Sequence, residues 1–220
     1  MSIPRSIAIL ISMIGHPLLV VVYMLYFYLK VNPYLFPYSS ERDIKTMGLI
    51  VFFTSVLIPL FSMLLMKGVG FIQSFEMKDR QERIGPLMVV TISYLWLFLN
   101  IKTHNMIPIP FARFVLGALV SLFLTFFINN FTKISLHGVG VGGFLMGLFS
   151  LITQHSNGYV AWELGEKVLE MQSLVLAMIL LVISGAVLTS RLYLKAHVLQ
   201  DIYGGVLVGI AGQMIAYLVF

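Results

Sequence analysis

The sequence has no cysteine and little charge: 14 Lys and Arg and 9 Asp and Glu in 220 residues. Without cysteine, disulfides, thiolate metal sites and cysteine nucleophiles are excluded, and the redox compartment leaves no trace. A charged fraction of 10% is well under half of the roughly 25% usual for a soluble domain, which excludes that class. Linkers, low-complexity tracts and short internal repeats are also missing. The net charge of +5 is spread over short loops, with no basic stripe interleaved with solvent-facing aromatics, so nucleic acid is not an expected partner. Anionic membrane lipids are the natural counterpart of such scattered cations.

What the chain has instead is apolar length. Hydrophobic residues make up 59% of it, gathered in runs near 7–29, 45–66, 86–101, 111–129, 138–153, 171–189 and 202–220. Most approach the roughly 20 residues that a spanning helix needs. The expectation is an all-α, polytopic membrane bundle of six to seven transmembrane helices, a single integral-membrane domain over 1–220. The runs at 86–101 and 138–153 are short for a crossing unless polar residues extend them. "GHPLLVVVYMLYFYL" in the first run outlasts a signal's apolar core and shows no small-residue cleavage site, so it reads as a retained helix.

With seven crossings, segments 67–85, 130–137 and 190–201 fall on the N-terminal side. They hold "KDRQERIGP", "TKISLHGVG" and "SRLYLKAHVLQD". Single Lys and Arg residues at such places ordinarily flank spans and snorkel. Counting charges gives eight Lys and Arg on that side and six opposite, too even a split to orient the chain.

The last of these segments places five ionisable side chains in twelve residues. If the final helix begins at Ala196, His197 and Asp201 share a face, and the carboxylate can accept the imidazole N–H. The other ring nitrogen then presents a lone pair, suited to a nucleophile or a general base. Gly205, Gly209, Gly212 and Ala216 continue that face with residues small enough to admit another helix closely.

Ser190, Arg191, His197 and Asp201 fill the pattern S-R-x5-H-x3-D, which resembles the third signature of the type 2 phosphatidic acid phosphatase superfamily, whose core is shared with vanadium haloperoxidases. "ISLH" resembles the second signature, P-S-G-H, at Ser135 and His137; Ile134 and Leu136 depart from it. The first, K-x6-R-P, is matched least: from Lys78 the arginine position holds Gly85, and Arg83 precedes Pro86 by three, as in an R-x-x-P variant of bacterial members. The resemblance covers residues 70–220, the expected catalytic core.

It implies that His197 attacks phosphorus, Asp201 orients it, and His137 protonates the leaving oxygen. It also implies that Arg191, Ser135 and Arg83 bind phosphate oxygens, with Lys78 or Arg80 in the lysine's place. No metal or cofactor belongs to that chemistry, because phosphoryl transfer rests on positioned charge. The implied substrate is a lipid phosphate or diphosphate, and the implied setting a bacterial inner membrane with the site facing the periplasm. Two readings from other classes stay open: a catalytically inactive binding or scaffolding member of the fold, and a transporter of anionic lipid. Outside the signatures, His16 before Pro17 reads either as an intramembrane relay or as a helix kink. His104 falls in an opposite-side loop with Pro108 and Pro110. "NGYVAWELGEKVLE" after His155 reads as a short amphipathic interfacial helix anchored by Tyr159 and Trp162.

Overall fold

The structure is a computed structural model and describes residues 5–36, 40–75, 77, 79–104, 107–164 and 167–220. Among these, seven helical segments are long and apolar enough to cross a membrane, and the protein is an all-α polytopic bundle with one small hairpin. The first span joins α1 (Arg5–Ile14) to α2 (Val20–Val31), and the second joins α3 (Glu41–Phe52) to α4 (Ile58–Gly68). Then come α5 (Ile84–Ile101), α6 (Ile109–Asn129), α7 (Leu136–His155), α8 (Ser173–Tyr193) and α9 (Leu199–Val219). The two short apolar runs become full spans because a turn at Gln81–Arg83 and the residues from Leu136 to His155 extend them.

Both composite spans break at proline, which lacks an N–H and clashes with the preceding turn. Pro17 opens a short 3-10 turn, Pro17–Leu19, and holds His16 extended at φ −64° and ψ 133°, as a residue before proline prefers. In the second span a π-helical turn at Phe53–Leu57 precedes Pro59, the wide turn accommodating the bond that proline cannot donate.

Val21, Met24, Leu97, Phe111, Val115 and Leu151 are buried at the centre. Large apolar side chains such as Phe61, Ile92, Phe127 and Val182 point outward. An apolar exterior of that extent suits a hydrocarbon solvent.

The tightest packing is between α7, α9 and α6. A Cβ on Gly142 would collide with the carbonyl of Val206, one on Gly209 with that of Val139, and one on Gly212 with Ser121. Glycine is therefore required for size, since the backbones of α7 and α9 touch, as small residues allow in membranes. The contact continues past the helix starts, where the Ser135 N–H donates to the Asp201 carbonyl at 3.0 Å.

The segment expected as an interfacial helix is instead an antiparallel hairpin of β1 (Tyr159–Leu164) and β2 (Lys167–Gln172). Val160 is fully buried, and the Trp162 indole N–H donates to Tyr26 Oη at 2.8 Å. Strand pairing satisfies the backbone while Val160, Trp162 and Met171 pack onto the core.

Gly209→Ala is expected to lower stability by about 1–3 kcal/mol, the usual cost of overpacking, whereas Gly204→Ala, with nothing within 4 Å of its added methyl, is expected to be neutral or stabilising. Thermal melts of the two proteins in one detergent check this; equal melting temperatures would show that the α7–α9 contact has room to spare.

Candidate functional site

The three loops that parity groups together meet in the structure. The Arg83 guanidinium donates from Nη1 to the Ile134 carbonyl at 3.1 Å, tying the first loop to the second. Lys133 Nζ donates to the Ala196 carbonyl at 3.0 Å, tying the second to the third. Above the bundle they enclose one end of a cavity of about 140 Å³, whose polar lining includes His16, Arg83, His137, Arg191 and His197. Apolar side chains, among them Met63, Leu87, Val90 and Leu122, make up much of the rest of its lining.

His197 lies ahead of the last helix, not within it, because α9 begins only at Leu199. Lys195, in the left-handed region at φ 53°, turns the chain after α8 and sends the imidazole inward. Asp201, in the first turn of α9, accepts from His197 Nδ1 at 3.0 Å and from the Val198 N–H at 3.4 Å. One carboxylate thus caps the helix and orients the ring, a role expected of acidic residues in a first turn. The sequence expectation of a His–Asp pair holds; its basis is helix entry, not a shared helical face.

With Nδ1–H held by Asp201, Nε2 is the nitrogen with a lone pair. The pKa of His197 is pushed down to about 4, first by burial; Asp201 helps the cation, and Arg83, Lys133 and Arg191 add repulsion to the cost of burial, so that the net shift is downward. The ring is therefore neutral and nucleophilic across the physiological range.

Arg83 is 5% exposed, and its Nε donates to the Met77 carbonyl at 2.9 Å. Met77 is left-handed at φ 42°, an uncommon conformation for such a residue that turns this carbonyl toward the guanidinium. Among the described residues the hydrogen bonds of Arg83 go to neutral carbonyls, which leave this buried cation without a directly bonded counter-ion and its charge open to an anion.

Arg191, in the last turn of α8, donates from Nη1 to Ser12 Oγ at 2.7 Å. His137, in the first turn of α7, places Nε2 at 3.1 Å from the Ser12 carbonyl and 3.3 Å from Ser12 Oγ. That carbonyl is available because the helix ends there: the His16 N–H bonds Met13 instead, leaving an orphan acceptor of the kind found at every helix C-terminus. A carbonyl only accepts, so His137 carries a proton on Nε2.

Ser135 is fully buried as the N-cap of α7, its Oγ accepting from the Gly138 N–H at 3.3 Å, and it is not part of the cavity lining. Arg80 is exposed and turns to the Phe131 carbonyl at 2.7 Å, away from the cavity. Lys78 lies outside the described residues. The structure thus brings His197, Asp201, His137, Arg191 and Arg83 together, sets Ser135 just behind them, and leaves Arg80 apart. Ser12 was invisible in the sequence, a lone small hydroxyl in an apolar run.

A second cavity, of about 100 Å³, sits around Arg113, Gln154, Gln213 and Tyr217. Its guanidinium lies over the Tyr217 ring at 4.9 Å and bonds the Phe220 carbonyl at 3.2 Å, so this cation is already engaged, and no histidine joins it. Comparison with known proteins finds no matching family model, curated protein or solved structure.

The lowered pKa has a consequence for stability. An unfolded His197 takes up a proton below about pH 6.5, and the folded one only below about 4. Stability is therefore intact above the unfolded value and falls as pH drops through the interval between the two. Melting in detergent from pH 7 to 4.5 is expected to show a shallower decline for His197→Gln than for the wild type; parallel declines would place the titrating group elsewhere.

Proposed function

We propose that the protein is an integral-membrane phosphatase that hydrolyses a lipid phosphate or diphosphate through a phosphohistidine at His197. The observation that carries this reading is the oriented, neutral His197 in one cavity with Arg83, Arg191 and His137. Two guanidiniums beside a nucleophile suit the three equatorial oxygens of a phosphoryl group, where charge and position supply most of the catalysis.

In the first step the His197 Nε2 lone pair forms a bond to phosphorus and the bond from phosphorus to the leaving oxygen breaks. His137 gives that oxygen a proton. With Nε2–H held by the Ser12 carbonyl, the nitrogen left for this task is Nδ1, so His137 works as an acid from a doubly protonated form that the negative charge of the bound substrate favours. In the second step Nδ1 takes a proton from water, the water oxygen bonds to phosphorus, and the phosphorus–nitrogen bond breaks. Phosphate leaves and both histidines are restored. Asp201 stabilises the cationic ring while it carries phosphate.

The apolar lining of Met63, Leu87, Val90 and Leu122 supports a substrate whose hydrocarbon chain stays among the helices while its phosphate enters the polar end. The signatures in "SRLYLKAHVLQD" and "ISLH" support membership in the type 2 phosphatidic acid phosphatase superfamily, and with it a bacterial inner membrane and a periplasmic site.

Phosphate release from lipid monophosphates and diphosphates by detergent-purified protein tests the chemistry. His197→Ala is expected to abolish release, and His137→Ala to slow it by about 10²–10⁴-fold, the range for a lost general acid. Release indifferent to His197 sinks the assignment. Orientation has its own test: with seven spans the C-terminus lies opposite the site, so alkaline phosphatase fused there is expected to be inactive. An active fusion would place the site in the cytoplasm.

A further inference from the structure

We propose that His16 is a third histidine of the anion site, donating a hydrogen bond from Nε2–H to a phosphoryl oxygen of the ligand. The inference rests on the cavity being the phosphate site argued above, but assigns to it a residue that lies outside all three signatures and on a different span.

The break in the first span puts His16 there. Pro17 holds it extended, and its side chain caps the turn that follows, Nδ1 accepting the Leu18 main-chain N–H at 3.3 Å. A main-chain N–H only donates, so Nδ1 keeps its lone pair and the neutral ring carries its proton on Nε2. The ring lines the cavity with Arg83, Arg191 and His197 and meets the His137 ring edge to face, with centroids 5.5 Å apart at 80°. Among the described residues no hydrogen bond engages its Nε2.

Two further observations favour a ligand. Capping alone is done as well by Asn, Ser or Asp, the residues preferred at such positions, so capping does not account for an imidazole. The cationic donors are also partly committed: Arg83 gives Nε and Nη1 to carbonyls, and Arg191 gives Nη1 to Ser12. A phosphoryl group has three non-bridging oxygens, and a neutral, pre-oriented N–H adds a donor without more repulsion among the cations. Gly15 fixes the ring's position, because a Cβ there would strike the Val187 side chain on α8; only glycine lets α1 lie close enough to deliver the next residue to the cavity.

The test separates capping from ligand binding. His16→Asn keeps an acceptor for the Leu18 N–H but loses the Nε2–H donor, and His16→Ala loses both. Calorimetric binding of inorganic phosphate to the full-length protein in detergent is expected to weaken about tenfold in both variants, equivalent to ~1.4 kcal/mol, while His16→Asn melts near the wild-type temperature. Wild-type affinity in His16→Asn would make His16 a cap only and overturn the assignment. Nitrogen NMR of the histidine-labelled wild type needs no stable variant: phosphate is expected to shift the protonated Nε2 of His16, and an unmoved resonance also overturns it. If the wild type binds no phosphate, this inference and the anion site fall together. If it binds phosphate in a His16-dependent way yet releases none from any lipid phosphate, the phosphatase reading fails and His16 stands as a binding residue.

Discussion

The contact of bare backbone between α7 and α9 is the constraint on which everything else depends. Gly142 and Gly209 permit it, and it brings two helix N-termini side by side, so that Ser135 and Asp201 bond through their main chains. His137 and His197 follow from that placement, one just inside the first helix and the other just before the second. Side-chain packing could not hold them so firmly in a bilayer, where the hydrophobic effect gives helices no reason to associate and close van der Waals contact has to do so.

Around this pair the polar residues are organised by orphan backbone groups. Arg83 is anchored by the carbonyls of Met77 and Ile134, Lys133 by that of Ala196, and His137 by that of Ser12. Each acceptor lies in a loop or at a helix end, where carbonyls lack intrahelical partners. In an apolar environment those groups need donors, and cations need acceptors. One arrangement satisfies both, and the neutral carbonyls that hold Arg83 leave the charge on its guanidinium in place. The net effect reaches His197, whose proton affinity is lowered by burial and by the surrounding cations even with a carboxylate beside it.

Much of the fold was legible because apolar length is a direct signal of a membrane span. The seven runs correspond to seven spanning segments, and the parity of the runs grouped the loops that meet at the cavity. The pairing of His197 with Asp201 was legible from spacing, although four residues apart describes a helix entry here as well as a helical face. The hairpin at 159–172 was misread because Trp and Tyr suit an interface in either conformation; its alternation of inward Val160 and Trp162 with outward Tyr159 is a period-2 pattern. The part played by Ser12 was not legible at all. It arises from a helix end created by Pro17 and from contact across 125 residues of chain, and neither local pattern nor composition encodes that.

A single trapping experiment probes the chemistry most directly. Purified protein is mixed with a lipid substrate labelled on its terminal phosphate, quenched in alkali within one turnover and digested for mass spectrometry. A base-stable, acid-labile phosphate on the peptide carrying His197, lost in His197→Ala, is the result the proposed mechanism predicts. Turnover with no label on that peptide, or with label on another residue, would show that the oriented imidazole is not the nucleophile.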